Sequence, residues 1–333
     1  MKSYAAYAIG AALVDTEIQV TDNDLVAMNV DKGMMTLMDQ SQQTHMLSQL
    51  SEHLIQASHA SGGSAGNSMI ATALMGAPTY MSCKVAQDTD GDIYLSDLEQ
   101  SGVAHGLNDQ RKEGVTGKCL VLITPDAERS LNTHLGISET LSVDEVNEDA
   151  IKASQWVYLE GYLVTSPTGH AAALKTKALA AQHEIQTAVS FSDPGMVKFF
   201  RDNMAAMVEG GVDLVFCNKI EALEWGQCDS LDDAISAIKQ VARRFVITLG
   251  AEGAMAWDGA TLHRVSAPTV DAVNTNGAGD MFAGAFLYAL SRGENDRRAT
   301  EFATLAASEV VKSFGPRLDR AACLALRRQF FGD

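Results

Sequence analysis

The segment 156–191, WVYLEGYLVTSPTGHAAALKTKALAAQHEIQTAVSF, carries the pattern that decides the fold. Two short apolar runs rich in β-branched and aromatic residues, 156–160 and 186–191, enclose a longer segment, 167–182, whose apolar residues recur three and four positions apart. A strand, a helix and a second strand in this order form a βαβ unit with parallel strands. The segment therefore predicts an α/β fold.

The same alternation continues towards the C-terminus, where strands are predicted at 212–217 and 245–249 and helices at 195–208 and 231–243. Near the N-terminus, the apolar run 4–14 predicts a buried first strand. A signal peptide is the weaker interpretation, because Asp15 and Glu17 interrupt the run. Helices are also expected at 41–57 and 66–75.

Two segments, 16–38 and 105–135, do not follow the βα alternation. The first looks extended, and the second contains two strand-like runs, 116–124 and 128–135. We expect the two segments to pair into a small separate sheet. The predicted division is a core of residues 1–15, 39–104 and 136–333 and a small β lid of residues 16–38 and 105–135.

Composition excludes several classes of function. The chain has 333 residues, and its 42 acidic and 25 basic residues give a net charge of −17. Such a charge repels polyanions, so nucleic acid and anionic membranes are poor partners. The five cysteines are odd in number and form no Cys-x-x-Cys pair, which favours a reducing cytoplasm and no zinc site. No apolar run reaches the roughly 20 residues of a transmembrane helix.

The motif Asn274-Thr275-Asn276-Gly277-Ala278-Gly279-Asp280 follows an extended stretch and opens an apolar helix. Glycines here let backbone N–H groups converge at a helix N-terminus, where anions bind. An Asp in the first turn could take the proton from a hydroxyl that attacks a phosphate. On its own, the motif is equally well explained as a turn into a helix, with Asp280 complementing the helix dipole.

Three further sites allow a functional and a structural interpretation. The segment 61–67, SGGSAGN, could be a hinge that brings polar groups onto ligand hydroxyls, or a flexible loop with Asn67 as N-cap. In the segment 218–221, NKIE, Glu221 could hold the water shell of an ATP-bound Mg²⁺, or complete a capping box. Asp15, placed at the end of the first strand, could accept vicinal hydroxyls of a sugar or be solvated.

Taken in order, Asp15, Gly62-Gly63, Asn218-x-x-Glu221 and Gly277-Ala278-Gly279-Asp280 resemble the ribokinase-like (PfkB) family of sugar and nucleoside kinases. The resemblance spans nearly the whole chain, as far as Phe314-Gly315-Pro316-Arg317. It implies a doubly wound, mostly parallel α/β sheet flanked by helices, with a small β-sheet lid that closes over the substrate.

The resemblance also implies roles for individual residues. Asp280 would be the catalytic base, beside an anion hole formed by the N–H groups of Gly277, Ala278 and Gly279. Substrate hydroxyls would be held by Asp15, Gly63 and Asn67. The residues assigned to the nucleotide and its metal are Asn218, Thr248, Gly250, Gly253 and Asn276, with Glu221 acting on Mg²⁺.

Within that family the chain is most similar to bacterial adenosine kinases, through Gly-Gly-Ser-x-x-Asn at 62–67, Thr116-Gly117-Lys118-Cys119 and Arg129-Ser130-Leu131. This implies an ATP- and Mg²⁺-dependent kinase that converts adenosine to AMP, as a monomer or homodimer. Whether the kinase also needs a monovalent cation is left open by the resemblance. The alternatives are a kinase for fructose, ribose or a related sugar, and a nucleoside- or sugar-binding protein with impaired catalysis.

The chain departs from the family pattern at two positions. The family usually has Asp where this chain has Asn274, so an ion site or hydrogen-bond network built on that carboxylate is in question. Adenosine kinases usually have Asn where this chain has Ala11, which weakens the expectation of adenosine itself.

Overall fold

A computed structural model describes residues 2–50, 58–107 and 111–332. Within these ranges, fourteen strands form two sheets. The strands are β1 (Tyr4–Ile9), β2 (Leu13–Gln19), β3 (Met35–Leu37), β4 (Ser58–Gly62), β5 (Thr79–Ser82), β6 (Val103–His105), β7 (Gly117–Ile123), β8 (Arg129–His134), β9 (Ser154–Glu160), β10 (Gln186–Ser190), β11 (Val212–Asn218), β12 (Ala242–Thr248), β13 (Ala254–Trp257) and β14 (Leu262–Val265). The helices are α1 (Asp22–Ala27), α2 (Gln40–Gln49), α3 (Ser64–Leu74), α4 (Thr89–Ser101), α5 (Glu148–Lys152), α6 (Pro167–Gln182), α7 (Pro194–Phe199), α8 (Arg201–Val208), α9 (Lys219–Gly226), α10 (Leu231–Ile238), α11 (Ala278–Ser291), α12 (Asp296–Val310) and α13 (Arg320–Phe331).

The larger sheet has the strand order β14-β13-β12-β11-β10-β9-β1-β5-β6. The strands from β12 to β6 run parallel, and only β13 and β14 pair antiparallel at one edge. The βαβ pattern of 156–191 is realised by β9, α6 and β10. The predicted doubly wound, mostly parallel α/β fold is confirmed.

Both faces of the larger sheet are covered by helices. In β1, Ala6 and Ala8 face the helices α3, α11 and α12, while Tyr7 and Ile9 face α6 and its neighbours. All four side chains are fully buried. Parallel strands buried on both faces read as continuous apolar runs, which is the pattern that the sequence shows here.

The smaller sheet has the strand order β3-β8-β7-β2-β4. Side chains of β7 alternate between its two faces. Leu120 and Leu122 pack beneath Leu25 of α1 and Met46 of α2, whereas Val121 lies on the opposite, inner face. The outer face of this sheet is therefore covered by the chain's own helices, and the inner face points at the larger sheet.

The first predicted strand is two strands. The run 4–14 breaks at 10–12, where the chain leaves the larger sheet and enters β2 of the smaller one. Gly10 permits the break, because a Cβ there would lie 2.6 Å from the Glu160 side chain. Asp15 is thus not at the end of the first strand but inside β2, paired with Ala60 and Cys119 on the neighbouring strands.

The small sheet is larger than the sequence indicated. The segment 16–38 contains the short helix α1, whose N-cap Thr21 forms a capping box with Asp24. Residues 40–49 form α2 on the outer face of the small sheet, and β4 adds a strand to it, although both were assigned to the core. The sequence Ser-His-Ala-Ser-Gly of β4 has no apolar alternation from which a strand can be predicted. The end of the helix expected at 41–57 lies outside the described residues.

In the described part of the chain, no helix is at once long and apolar enough to cross a membrane.

Candidate active site

One cavity of about 560 Å³ lies between the carboxyl ends of the large-sheet strands and the inner face of the small sheet. Every residue to which the sequence analysis assigned a site role lines this cavity. Ligands of open α/β sheets bind at this edge. The fold thus brings residues from Asp15 to Asp280 to one place, while their individual roles stay predictions.

The loop before α11 forms a turn suited to anions. Gly277, the N-cap of α11, has φ of 73°, and a Cβ there would lie 2.0 Å from the carbonyl oxygen of Pro316. Both the left-handed backbone and this close approach require glycine. The first N–H groups of a helix lack partners within it and carry the positive end of its dipole. The Ala278 N–H donates to Thr275 O at 3.3 Å, a bond it would exchange for one to a bound phosphate.

Asp280 lies in the first turn of α11 with its carboxylate in the cavity. Its Oδ1 accepts a hydrogen bond from the Ser64 hydroxyl at 2.6 Å, and its Oδ2 accepts one from Asn67 Nδ2 at 3.0 Å. Burial raises the pKa of Asp280, while these two hydrogen bonds lower it. Two donors from the first turn of α3 therefore hold the carboxylate in place, and its oxygens retain lone pairs for a substrate hydroxyl.

Arg317 orients Asn67 and was not assigned a role from the sequence. Its Nη1 donates to Asn67 Oδ1 at 2.9 Å and to Ser61 O at 2.8 Å, and its Nη2 donates to Asp97 at 2.6 Å. Because the Asn67 oxygen faces a guanidinium, the Asn67 amide nitrogen faces Asp280. The segment 314–317 marks the end of the family resemblance, but nothing in its sequence indicates this contact across 250 residues.

Asp15 is buried, and its Oδ1 has no hydrogen-bond partner among the described residues. Burial, and next the carboxylate of Glu17, raise the pKa of Asp15 to about 8. Gly62 makes room for it, since a Cβ at position 62 would lie 2.0 Å from Asp15 Oδ1. An unsatisfied buried acceptor beside a cavity calls for donors from a ligand, and hydroxyl groups supply them.

Gly63 provides the sharp bend between β4 and α3. Its φ is 84°, and a Cβ would lie 2.3 Å from the Ala11 carbonyl oxygen. The bend lets α3 begin at Ser64, two residues before the helix predicted at 66–75, so that Asn67 is inside the helix and not its N-cap.

Glu160, at the carboxyl end of β9, is a cavity residue that the sequence analysis did not select. It is buried and accepts hydrogen bonds from Ala11 N and Ala65 N, each at 2.7 Å. Burial raises the pKa of Glu160 to about 7. The sequence signal that could have identified Glu160 is its place at the end of a predicted parallel strand, where ligands of α/β sheets bind.

Asn218 and Glu221 form the capping box of α9. The Asn218 Oδ1 accepts from Glu221 N at 2.9 Å, and the two Glu221 oxygens accept from Asn218 N at 2.9 Å and Asn218 Nδ2 at 2.6 Å. Burial raises the pKa of Glu221 to about 7. In the described ranges no group of three acidic, histidine or cysteine side chains could enclose a metal ion. This donor set fits a cation that keeps its water shell, as Mg²⁺ does.

A glycine-containing turn lines the far end of the cavity. Thr248 ends β12, and the turn after it contains Gly250 with φ of 58° and Gly253 with φ of 102°. A Cβ on Gly253 would lie 2.0 Å from Val265 O. Apolar and small residues complete this end: Ala267, Pro268, Val270, Ala307 and Val311.

Arg129 brings positive charge into the cavity from β8 of the small sheet. Its guanidinium counteracts the effect of burial on the pKa of both Asp280 and Glu221. Arg129 therefore lies close enough to act electrostatically on both carboxyl groups. In the sequence, Arg129 is recognisable only as part of Arg129-Ser130-Leu131, because a single arginine at the start of a strand does not show which cavity it enters.

A helix N-terminus and buried carboxylates that line one cavity, which a second sheet covers, suit a phosphotransferase. The model of the pfkB family carbohydrate kinases matches residues 30–322, and the chain belongs to this family. It is therefore a kinase with an alcohol group as acceptor, and as in other kinases ATP is the phosphoryl donor, typically with Mg²⁺.

Known proteins are similar over almost the whole chain. A probable sugar kinase from Rhizobium etli CFN 42 has a TM-score of 0.93 at 30% identity, with 99% of each chain covered. Adenosine kinase from Sinorhizobium meliloti has a TM-score of 0.92 at 30% identity, with 98% of this chain and 99% of that one covered. Adenosine kinase of Schizophyllum commune is 27% identical over 95% of this chain and 97% of its own length.

Proposed function

We propose that the protein transfers the γ-phosphoryl group of ATP to the primary hydroxyl of a nucleoside, and that adenosine is converted to AMP. The observation that carries the nucleoside is the apolar wall beside Asp15. On the inner face of the small sheet, the cavity is lined by Leu13, Cys119, Leu131 and Leu135. A purine base can pack against such a wall, whereas a free sugar presents hydroxyls on every side that need polar partners.

The polar groups of the cavity fit the ribose. Asp15 would accept the vicinal hydroxyls, because its Oδ1 has no partner among the described residues. Gly63 lines the cavity with its backbone and has no side chain there. Asn67 lines the same cavity and donates a hydrogen bond to Asp280, the proposed base. With the vicinal hydroxyls at Asp15 and the base at the apolar wall, the primary hydroxyl would be directed at Asp280.

Asp280 would act as base by position. A carboxylate of ordinary basicity suffices in phosphoryl transfer, where positioning and charge stabilisation dominate the rate. The N–H groups at the start of α11 and the Arg129 guanidinium would stabilise the charge on the transferred group. When bound with ATP, Mg²⁺ neutralises part of the phosphate charge, and Glu221 and Asn218 would orient its waters. The small sheet over the cavity excludes bulk water that would compete with the acceptor hydroxyl.

The test is ADP release with ATP and either adenosine, ribose or fructose as acceptor. We expect adenosine to give the highest kcat/KM, by at least about tenfold. If adenosine turned over no faster than the background without acceptor while a free sugar did, the nucleoside assignment would be wrong. If no acceptor turned over although one of them bound tightly, the protein would be a binding protein with impaired catalysis.

A sugar kinase is the second candidate, and Ala11 favours it. At this position, where adenosine kinases usually have Asn, the chain offers only its backbone, and the Ala11 N–H already donates to Glu160. A purine ring would thus lack one polar partner. The same assay decides between the candidates.

We further propose a cytoplasmic location, which the five unpaired cysteines support.

A further inference from the structure

Glu17 is a buried carboxylate that the roles assigned so far do not use. It lies in β2 of the small sheet and is 3% exposed. Its Oε1 accepts hydrogen bonds from Asn274 Nδ2 at 3.0 Å and Asn276 Nδ2 at 2.9 Å, and its Oε2 accepts one from Gly315 N at 2.7 Å. One side chain of the small sheet thus holds two segments of the larger domain.

Both segments belong to the phosphate end of the cavity. Asn274 and Asn276 begin the loop that leads to the N-cap Gly277, and the Asn276 N–H donates to Asn274 Oδ1 at 2.8 Å. Gly315 precedes Pro316, whose carbonyl oxygen abuts Gly277. The three hydrogen bonds that Glu17 accepts therefore hold the loop before Gly277 and the segment that packs against Gly277. In the proposed reaction, the turn at Gly277 presents N–H groups to the transferred phosphate.

The amide at position 274 needs this partner. Asn274 is fully buried, and an unpaired amide nitrogen there would be costly. Where the family pattern has a carboxylate at this position, the chain has an amide, and the carboxylate that meets it comes from β2.

Glu17 also connects the phosphate end to the substrate end. Side chains two residues apart on a strand point to the same face, so Asp15 and Glu17 both project from β2 towards the larger domain. Asp15 faces the acceptor site, and Glu17 faces the phosphate loop. A shift of β2 would therefore move both together.

We propose that Glu17 is a positioning residue for phosphoryl transfer, which holds the loop 274–277 in the conformation that receives the phosphate and ties it to the strand that carries Asp15. The proposal rests on the kinase reaction but not on the identity of the acceptor. Glu17 would act on the phosphate through the loop that it holds, so its effect should be on kcat more than on the KM of the acceptor.

A charge exchange tests the proposal. In Glu17→Gln the amides of Asn274 and Asn276 face another amide, and we expect kcat to fall by about 10- to 100-fold, as for a displaced catalytic group, with the KM of the acceptor within about threefold. Asn274→Asp alone would place two carboxylates 3.0 Å apart and should be similarly impaired. In the double variant Glu17→Gln/Asn274→Asp the carboxylate and the amide have changed sides, and kcat should recover by at least about tenfold over Glu17→Gln.

Hydrogen exchange of the backbone gives a readout that does not need turnover. In Glu17→Gln the N–H groups of 274–281 should exchange at least about tenfold faster, and the double variant should restore their protection. Glu113→Gln, on an exposed side chain, is the control and should change neither quantity. If Glu17→Gln does not fold, the double variant alone tests the proposal. The proposal then requires that the double variant folds and retains kcat within about tenfold of the parent.

Three results would overturn the proposal: kcat of Glu17→Gln within about twofold of the parent, unchanged exchange of the loop, or a double variant that regains thermal stability but neither kcat nor loop protection. The last result would show a purely structural role. A parent protein without turnover on any acceptor would overturn the proposed function instead, and the exchange experiment would still decide on Glu17.

Discussion

At the scale of single residues, the geometry of the site depends on partly buried side chains that hydrogen-bond to one another. Asp280 is held by Ser64 and Asn67, and the orientation of Asn67 is in turn set by Arg317. This chain of contacts joins α11, α3 and the loop after α12. These contacts hold Asp280, the proposed base, in one defined position.

Replacement of Asp280 by Asn should separate catalysis from binding. The variant keeps the shape and the donors around position 280 but cannot take up a proton, so kcat should fall by about 10²- to 10⁴-fold. Stabilisation of the protein by a bound nucleoside should persist in thermal melting. Turnover within about tenfold of the parent would show that Asp280 is not the base.

Single residues also mark the limit of what the sequence could predict. Gly277, Gly279 and Asp280 form a compact motif, and a local pattern of glycines and an acid at a helix start can be recognised. The contributions of Glu17 and Arg317 to the site depend on hydrogen bonds with partners 257 and 250 residues away. No local pattern encodes such contacts, and both residues could only be found in the folded chain.

At the scale of elements, β1 and β9 to β12 of the larger sheet were predicted from the sequence, whereas its strands β5, β6, β13 and β14 and part of the smaller sheet were not. The strands β9 to β12 are buried on both faces and alternate with helices, which gives a strong signal. β4 is polar and short, and the apolar run 4–14 hides the passage from β1 to β2. The strand-like runs 116–124 and 128–135 correspond to β7 and β8 of the small sheet, while β4 was missed.

The bend at Gly63 can be compared with a second glycine of positive φ, Gly102. Their φ values are 84° and 86°, but ψ is 131° at Gly63 and 23° at Gly102. A Cβ would meet Ala11 O at 2.3 Å at Gly63 and nothing within 4 Å at Gly102. Gly102→Ala should cost about 1–2 kcal/mol for its left-handed backbone alone. Gly63→Ala should cost about 3 kcal/mol or more, because the backbone must also move.

Denaturant unfolding measures both variants. Gly63→Ala should also lower kcat/KM, since the bend sets where Ser64 and Asn67 begin α3, whereas Gly102→Ala should not. Equal losses of stability in the two variants would mean that neither the ψ of Gly63 nor the contact with Ala11 adds a cost beyond that of a positive φ.

At the scale of the whole molecule, the cavity concentrates buried carboxyl groups. Burial raises the pKa of Asp15 to about 8 and the pKa values of Glu160 and Glu221 to about 7, and the pKa of Asp280 is raised as well. In the unfolded chain these groups titrate near pH 4. Between these values the folded protein binds more protons than the unfolded one, so its stability falls as the pH rises.

The free protein should therefore melt at a lower temperature at pH 8 than at pH 5.5, by at least about 3 °C. Asp15→Asn removes one of the groups and should flatten the upper part of this dependence. A bound nucleoside should flatten it too, because its hydroxyls donate to the ionised carboxylate. Differential scanning calorimetry across this range checks the sign, and a melting temperature that rose with pH would contradict the assignment of these pKa values.

The close approach of Gly62 to Asp15 limits how this enzyme could be redesigned for another acceptor. Any larger side chain at position 62 would occupy the space of the Asp15 carboxylate, since its Cβ alone would lie 2.0 Å from Oδ1. The two positions can only be changed together, and the proposed anchor for vicinal hydroxyls is lost with them. Mutational libraries aimed at new acceptors should therefore keep this pair constant and vary Leu131 and Leu135, whose side chains line the apolar wall on the inner face of the small sheet.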